Sequence, residues 1–311
     1  MQVSSMKTLL QQGPVVSDGA MATELEKRGV DTDSALWSAT AMIDHLDAIA
    51  AVHHSYFAAG AQIATTNTYQ ANVPAFVAAG IPAESARKLT QQAVRVAIKA
   101  RDDYSSQHAG FSGLIAGSIG PYGAYLADGS EYTGAYQQSV AECQAFHRER
   151  LQLVTGVGVD VLALETMPNF AEVQALVQLV TTEFPEQAYW VSFSLKDPAT
   201  LCDGTSLAVA AKWVAQQPNV VAVGVNCTTL ETIEPALKVL ASAVTLPLIV
   251  YPNSGDKYDP QTKTWQATNL SHTFESFVPA WLAAGAKIIG GCCRTTPADI
   301  ATVSQLVRAK R

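Results

Sequence analysis

Eight short runs rich in Val, Ile, Leu and Ala recur along this chain, at residues 15–18, 62–66, 114–118, 159–165, 189–195, 220–226, 247–251 and 287–290. Runs this short and this continuously apolar suit strands buried on both faces. Longer stretches with helical patterning lie between them, among them 45–59, 83–102, 137–155, 170–183, 206–216, 229–241 and 271–284. Strand and helix patterns in alternation imply a parallel sheet. Eight such repeats in 311 residues predict an α/β fold, a (β/α)8 TIM barrel, as a single domain over residues 1–311. The competing architecture is an open doubly wound sheet. That fold usually carries a glycine-rich phosphate fingerprint after a strand. Here Gly156-Val157-Gly158-Val159 precedes a strand and lacks the third glycine, so it reads as the turn into the fourth strand. Two long connections stand out. Residues 120–132, rich in glycine and tyrosine, are read as an active-site loop, and a second long loop is expected over 251–269.

In a barrel of this kind chemistry sits at the C-terminal ends of the strands. Each of the eight runs finishes there in a polar or thiol group. These are Asp18, Thr66-Asn67, Ser118, Glu165, Ser192 and Ser194, Asn226-Cys227, Tyr251-Pro252-Asn253, and Gly290-Gly291-Cys292-Cys293. A single such residue would be an ordinary turn residue. All eight together define one polar mouth holding two carboxylates and three thiols.

Five cysteines, an odd number in a chain of this length, point to reduced thiols rather than a disulfide framework. Catalytic zinc keeps three protein ligands and one open position, which suits Cys227, Cys292 and Cys293. Successive strand residues point to opposite faces. Cys292 and Cys293 can therefore share a metal only if the chain leaves strand geometry, and Gly290-Gly291 would permit such a turn. A buried pair of free thiols or a vicinal disulfide is the competing reading. Cys143 and Cys202 are read as ordinary thiols. His53, His54 and His147 fall in helical stretches and are given outer-surface roles, while His45, His108 and His272 have no partner at metal-ligand spacing.

Asp18 is followed by a helical run beginning Ala20-Met21-Ala22. The free backbone amides of Gly19, Ala20 and Met21 would seat a substrate carboxylate. Asp18 is alternatively the N-cap of that helix. Glu165 ends an almost wholly apolar strand, where an ionised carboxylate needs a partner, and an α-ammonium group would supply one. Asn226, Thr66, Asn67 and Tyr251 are further candidates, either to support the metal ligands from behind or to contact substrate. Tyr122, Tyr125 and Tyr132 are candidates to face a cation through their rings.

The formal charge of −7 argues against nucleic acid or an anionic membrane as partner. Neither a secretory leader nor an apolar run of the ~20 residues a spanning helix needs is expected. A cytoplasmic location follows as an expectation.

Asp18-Gly19-Ala20-Met21-Ala22-Thr23-Glu24-Leu25, Thr66-Asn67-Thr68, Gly117-Ser118-Ile119-Gly120-Pro121, Glu165-Thr166-Met167-Pro168, Asn226-Cys227, Tyr251-Pro252-Asn253-Ser254-Gly255 and Gly290-Gly291-Cys292-Cys293-Arg294-Thr295 resemble, in order and nearly end to end, the homocysteine S-methyltransferase family. The chain is most similar to the stand-alone members that use S-methylmethionine. One departure is Ala22, where many members carry glycine. The resemblance implies a (β/α)8 barrel with zinc held by Cys227, Cys292 and Cys293, and homocysteine held through Asp18, the following amides and Glu165. It implies methyl transfer from a sulfonium, S-methylmethionine or S-adenosylmethionine, to the homocysteine thiolate, giving methionine. A betaine-using enzyme and a selenocysteine-directed one share this chemistry and remain open. So does the more distant reading of a non-catalytic zinc or redox-sensing barrel. The oligomeric state is not legible.

Overall fold

The computed structural model describes residues 5–32, 36–255, 257–259, 264–266 and 273–310. Eight parallel strands form the barrel: β1 Val15–Val16, β2 Ile63–Thr65, β3 Leu114–Ile119, β4 Val161–Met167, β5 Tyr189–Phe193, β6 Val220–Asn226, β7 Leu248–Tyr251 and β8 Ala286–Ile289. They pair in the spatial order β1-β8-β7-β6-β5-β4-β3-β2. The ring closes where Ser17 bridges Ile63 in parallel. There the Asp18 amide donates to the Ile63 carbonyl at 3.0 Å and the Gln62 amide to the Val16 carbonyl at 2.7 Å. Closure removes the sheet edges that the doubly wound alternative would leave exposed.

A helix follows each strand on the outside: α1 Leu46–Ala58, α2 Ala83–Gln107, α3 Val140–Thr155, α4 Phe170–Glu183, α5 Leu207–Val214, α6 Leu230–Ala243, α7 Phe274–Ala283 and α8 Pro297–Arg308. Capping boxes fix the starts of α3, by Ser139 and Glu142, and of α8, by Thr296 and Asp299. Helix α2 runs past its expected end at residue 102 to Gln107, carrying an amphipathic face with Val94, Ala97 and Ala100 buried. The loop expected over 120–132 contains a short helix, Tyr122–Leu126, and a 3-10 turn, Ser130–Tyr132. In the loop expected over 251–269, Lys257–Asp259 pairs antiparallel with Thr264–Gln266. The rest of that loop beyond Gly255, and His272, lie outside the described residues.

Strand alternation decides what faces inward. Leu114, Ala116, Val161, Ala163, Trp190, Ala222, Ile249 and Ile288 pack inside the ring as one cluster, over Met6 and Leu9 of the N-terminal helix Met6–Gln11. Their neighbours Ile115, Leu162, Leu164, Val191, Val223 and Val250 point outward into the core beneath the helices. Continuing the inward parity toward the strand ends brings Ser118, Glu165, Ser192, Asn226 and Tyr251 into the topmost interior layer. The apolar plug below and the polar layer above place the chemistry at the C-terminal mouth. Among the described residues, no helix is long and apolar enough to cross a membrane.

Candidate active site at the C-terminal mouth

The ends of β6 and β8 bring three sulfurs together across β7. Cys227 Sγ lies 3.6 Å from Cys293 Sγ, and Cys292 Sγ lies 4.0 Å from Cys293 Sγ. All three lie within 4.8 Å of one another. A disulfide would need ~2.05 Å, so these are separate thiols. Three thiolates at ~2.3 Å from one tetrahedral ion would stand about 3.8 Å apart, and the observed separations bracket that spacing. The trio therefore fits a metal such as zinc.

Backbone geometry achieves the convergence in an unexpected way. Gly290 and Gly291 do not adopt the left-handed conformation; Cys227 (φ 52°) and Arg294 (φ 65°) do. At Cys227 the chain leaves the strand in that region, which costs a non-glycine residue ~1–3 kcal/mol. The two glycines serve close packing instead. A Cβ at Gly290 would sit 2.8 Å from the Asp18 carbonyl oxygen, and one at Gly291 would sit 2.7 Å from Thr295 Cβ. Asn253 ties the turns together. Its Oδ1 accepts from the Cys293 amide at 3.1 Å, while its own amide donates to the Thr228 carbonyl at 2.9 Å. Hydrogen bonds from Cys292 and Cys293 hold the Cys227 thiol well below its usual pKa, and donating those hydrogen bonds, with burial and the Cys227 charge, pushes theirs well above.

Beside the thiols opens a cavity of about 490 Å³, lined by Asp18, Glu131, Tyr132, Glu165 and all three cysteines among others. Asp18 is not a helix cap: the cap position of the Met21–Glu26 helix is Ala20, which offers no side-chain hydrogen bond. The Asp18 carboxylate accepts instead from the Thr65 amide at 2.7 Å and the Thr65 hydroxyl at 2.9 Å. Burial nevertheless pushes its pKa up to about 7. Glu165 accepts a hydrogen bond from the Ser118 hydroxyl, and burial likewise pushes its pKa up to about 7. Two buried carboxyls poised near neutrality, with no cationic side chain among their hydrogen-bond partners in the described residues, suit a substrate ammonium.

The remaining expected contacts divide. Gly19, Ala20 and Met21 line the cavity. However, the Ala20 amide is taken by Thr295 Oγ1 at 3.1 Å, which removes it from the carboxylate seat. Asn226 is fully buried behind the wall. Its Oδ1 accepts from the Thr166 amide and the Ser192 hydroxyl, both at 2.8 Å, and its Nδ2 donates to Thr166 Oγ1 at 2.8 Å. It braces β4, β5 and β6 behind the cavity lining, and its Nδ2 also faces Cys292 Sγ at 4.0 Å. Thr66 and Asn67 line the cavity with their side chains engaged, Thr66 by the Ser118 amide at 3.0 Å and Asn67 by Ser38 at 2.6 Å. The Tyr251 hydroxyl, also at the wall, accepts from Trp190 Nε1 at 3.1 Å and bonds Ser192. Of the three tyrosines expected to face a cation, only Tyr132 reaches the cavity, with its hydroxyl 3.6 Å from Cys227 Sγ. Tyr122 and Tyr125 pack against Phe146 on the outside, at ring separations of 5.0 and 5.4 Å. Tyr69 and Glu131 line the cavity without having been singled out from sequence. Tyr69 sits in a turn and Glu131 in the 3-10 turn Ser130–Tyr132, where no strand or helix periodicity marks direction.

The surface role expected for His53 and His147 is overturned. Both are fully buried, on the inward faces of α1 and α3. Burial pushes the His53 pKa down to about 4. His147 accepts at Nδ1 from Arg150 at 3.0 Å, so its Nε2 carries the proton and donates to Glu172 at 2.7 Å. Glu172 also accepts from the Tyr122 amide at 2.7 Å and from the Tyr136 hydroxyl, while Arg150 donates to the Tyr69 carbonyl at 2.6 Å. Cys143 is buried against this network. His147 and Glu172 spend their side-chain atoms on each other, and the Cys143 thiol faces the Glu172 backbone carbonyl at 3.8 Å. The network staples the 120–136 loop and the end of β2 to α3 and α4. His147→Leu should destabilise the protein by about 2–3 kcal/mol by stranding buried donors and acceptors. Urea unfolding would show this, and an unchanged midpoint would refute it.

A closed (β/α)8 barrel carrying converging thiols and buried carboxylates at its C-terminal mouth is the framework of an enzyme acting on a small charged molecule. The homocysteine S-methyltransferase family model matches residues 15–307. Homocysteine S-methyltransferase of Escherichia coli is 47% identical over 97% of this chain and 98% of that protein. The YbgG homocysteine S-methyltransferase of Bacillus subtilis is 43% identical over 95% of each. A crystal structure of the E. coli homocysteine methyltransferase MmuM in its metallated form superposes with a TM-score of 0.88 at 44% identity, covering 97% of this chain and 99% of that one. The chain belongs to the homocysteine S-methyltransferase family and is an enzyme of that class.

Proposed function

We propose that this enzyme, a single-domain cytoplasmic protein, transfers a methyl group from a sulfonium, S-methylmethionine or S-adenosylmethionine, to the sulfur of homocysteine, forming methionine. The observation that carries the reading is three sulfurs at tetrahedral spacing opening onto a cavity with two buried carboxyls. Cys227, Cys292 and Cys293 would hold zinc, which when bound supplies the Lewis acidity that keeps a substrate thiol deprotonated at neutral pH. Asp18 and Glu165 would bind the acceptor's α-ammonium. The uncapped first-turn amides at Met21 and Ala22 favour its carboxylate. The acceptor sulfur then attacks the methyl carbon, and the carbon–sulfonium bond breaks. Its electron pair stays on the donor sulfur, so S⁻ and S⁺ become two neutral thioethers. Charge is lost along this path, so a cavity that excludes water favours it. The walls fixed by Asn226, Ser192 and Tyr251 keep that cavity in shape.

Parallel assays with S-methylmethionine, S-adenosylmethionine and betaine, before and after chelation and zinc readdition, test the proposal. Transfer from a sulfonium that chelation abolishes and zinc restores is expected. Betaine as sole donor, or full activity without metal, would refute it. Selenocysteine belongs in the same assay as acceptor, because a selenocysteine Se-methyltransferase of Brassica oleracea is 37% identical over 99% of this chain.

A further inference from the structure

The acceptor is not the only zwitterion that must fit. Either sulfonium donor carries its own α-ammonium and α-carboxylate on a carbon three bonds from the reacting sulfur. The cavity, at about 490 Å³, lies well inside the ~300–1,000 Å³ range of small-molecule sites and holds more than one four-carbon amino acid. Its charged lining, among the described residues, falls into two sets. Asp18, Glu131 and Glu165 are buried. Glu26 and Arg294 stand at the rim, with side chains 46% and 37% exposed. Arg294 is the only cationic side chain in the described lining, against four carboxylates.

We propose that Glu26 and Arg294 form the subsite for the methyl donor's α-amino-carboxylate, with Arg294 taking the carboxylate and Glu26 the ammonium. This rests on the sulfonium-transfer reading above. The two side chains face each other at 3.5 Å. A half-exposed pair of that kind contributes only ~0–1 kcal/mol, and exchanging it for two ligand pairs conserves charge. A guanidinium also matches a carboxylate with two parallel hydrogen bonds. Glu26 is held in place because its Oε1 accepts from the Thr32 hydroxyl at 2.7 Å, while Oε2 faces Arg294. Arg294 directly follows Cys293 in the left-handed turn that carries the thiols. The donor's charged head is thereby anchored near the reacting sulfur, and its sulfonium points inward.

The test is steady-state kinetics of the zinc-loaded enzyme and its Arg294→Met and Glu26→Gln variants, at saturating homocysteine. The donors are S-methylmethionine, its α-methyl ester, and a dimethylsulfonium carboxylate lacking the amine. Wild type should prefer S-methylmethionine to both analogues. Arg294→Met should raise the donor KM ~10–100-fold, the worth of a charged hydrogen bond, and erase the preference over the ester. Glu26→Gln should do the same toward the amine-free donor. The homocysteine KM should stay unchanged in both. If Arg294→Met loses metal, Glu26→Gln decides alone, since it is remote in sequence from the thiols. Unchanged donor KM and discrimination in Glu26→Gln, or an equal rise in the homocysteine KM, overturns the subsite. Absence of transfer from any sulfonium in wild type instead sinks the underlying function.

Discussion

Cys292→Ala is expected to lose its zinc on dialysis and to lose methyl transfer with it. Two thiols cannot replace three, because a catalytic site keeps its fourth position for substrate and has no spare protein ligand. His53 and His147 are not placed to step in, since both lie buried in the helical layer, the latter bound to Glu172 and Arg150. The fall in rate should exceed the ~10–100-fold typical of losing a group behind a ligand. The fold should survive, since the hydrogen bonds that Cys292 makes through its backbone, with its amide donating to the Pro252 carbonyl at 2.7 Å, do not need the sulfur. Metal content after dialysis, read beside circular dichroism, checks this. Stoichiometric zinc in the folded variant would break the ligand assignment.

Glu165→Gln is expected to raise the homocysteine KM by roughly 30- to 900-fold, the ~2–4 kcal/mol lost when one member of a buried charge pair is removed. The same substitution should make the ligand-free protein more stable at pH 8. The reason is linkage. The folded carboxyl has its pKa raised from 4.5 to about 7. Between those values the native state keeps a proton the unfolded chain has released, so stability falls as pH rises through the window. Glutamine is neutral throughout and removes that dependence. Binding of the acceptor's ammonium has the opposite sign. It needs the carboxylate and should strengthen as pH rises through about 7. An unchanged homocysteine KM in Glu165→Gln would count decisively against the ammonium clamp.

Much of the fold was legible because a buried parallel strand is apolar on both faces. Residues 114–118 and 220–226 could hardly be read otherwise, and their structural limits differ by at most a residue. The mouth was legible for the same reason: a carboxylate or thiol is conspicuous at the end of an apolar run. Helix direction was less visible. His147 sits on a helix of mixed polarity, and only the packing of α3 against α4 shows that it faces inward. Asn226 could be read from its place before Cys227 as a substrate contact or as a support behind the thiols; only the packing shows its amide bonded to Thr166 and Ser192 with Nδ2 facing Cys292 Sγ at 4.0 Å.

The sequence by itself determined the barrel, the position of its mouth and the residue types gathered there, because strand periodicity and burial act within each segment. Only the tertiary structure decided how the cysteines meet. Cys227 and Arg294 turn left-handed, while Gly290 and Gly291 let the chain pass close to Asp18 and Thr295. It also decided which rim charges share a cavity with the thiols. Those outcomes depend on contacts between segments far apart in the chain, where each candidate group spends its hydrogen bonds on whichever neighbour the closed barrel supplies.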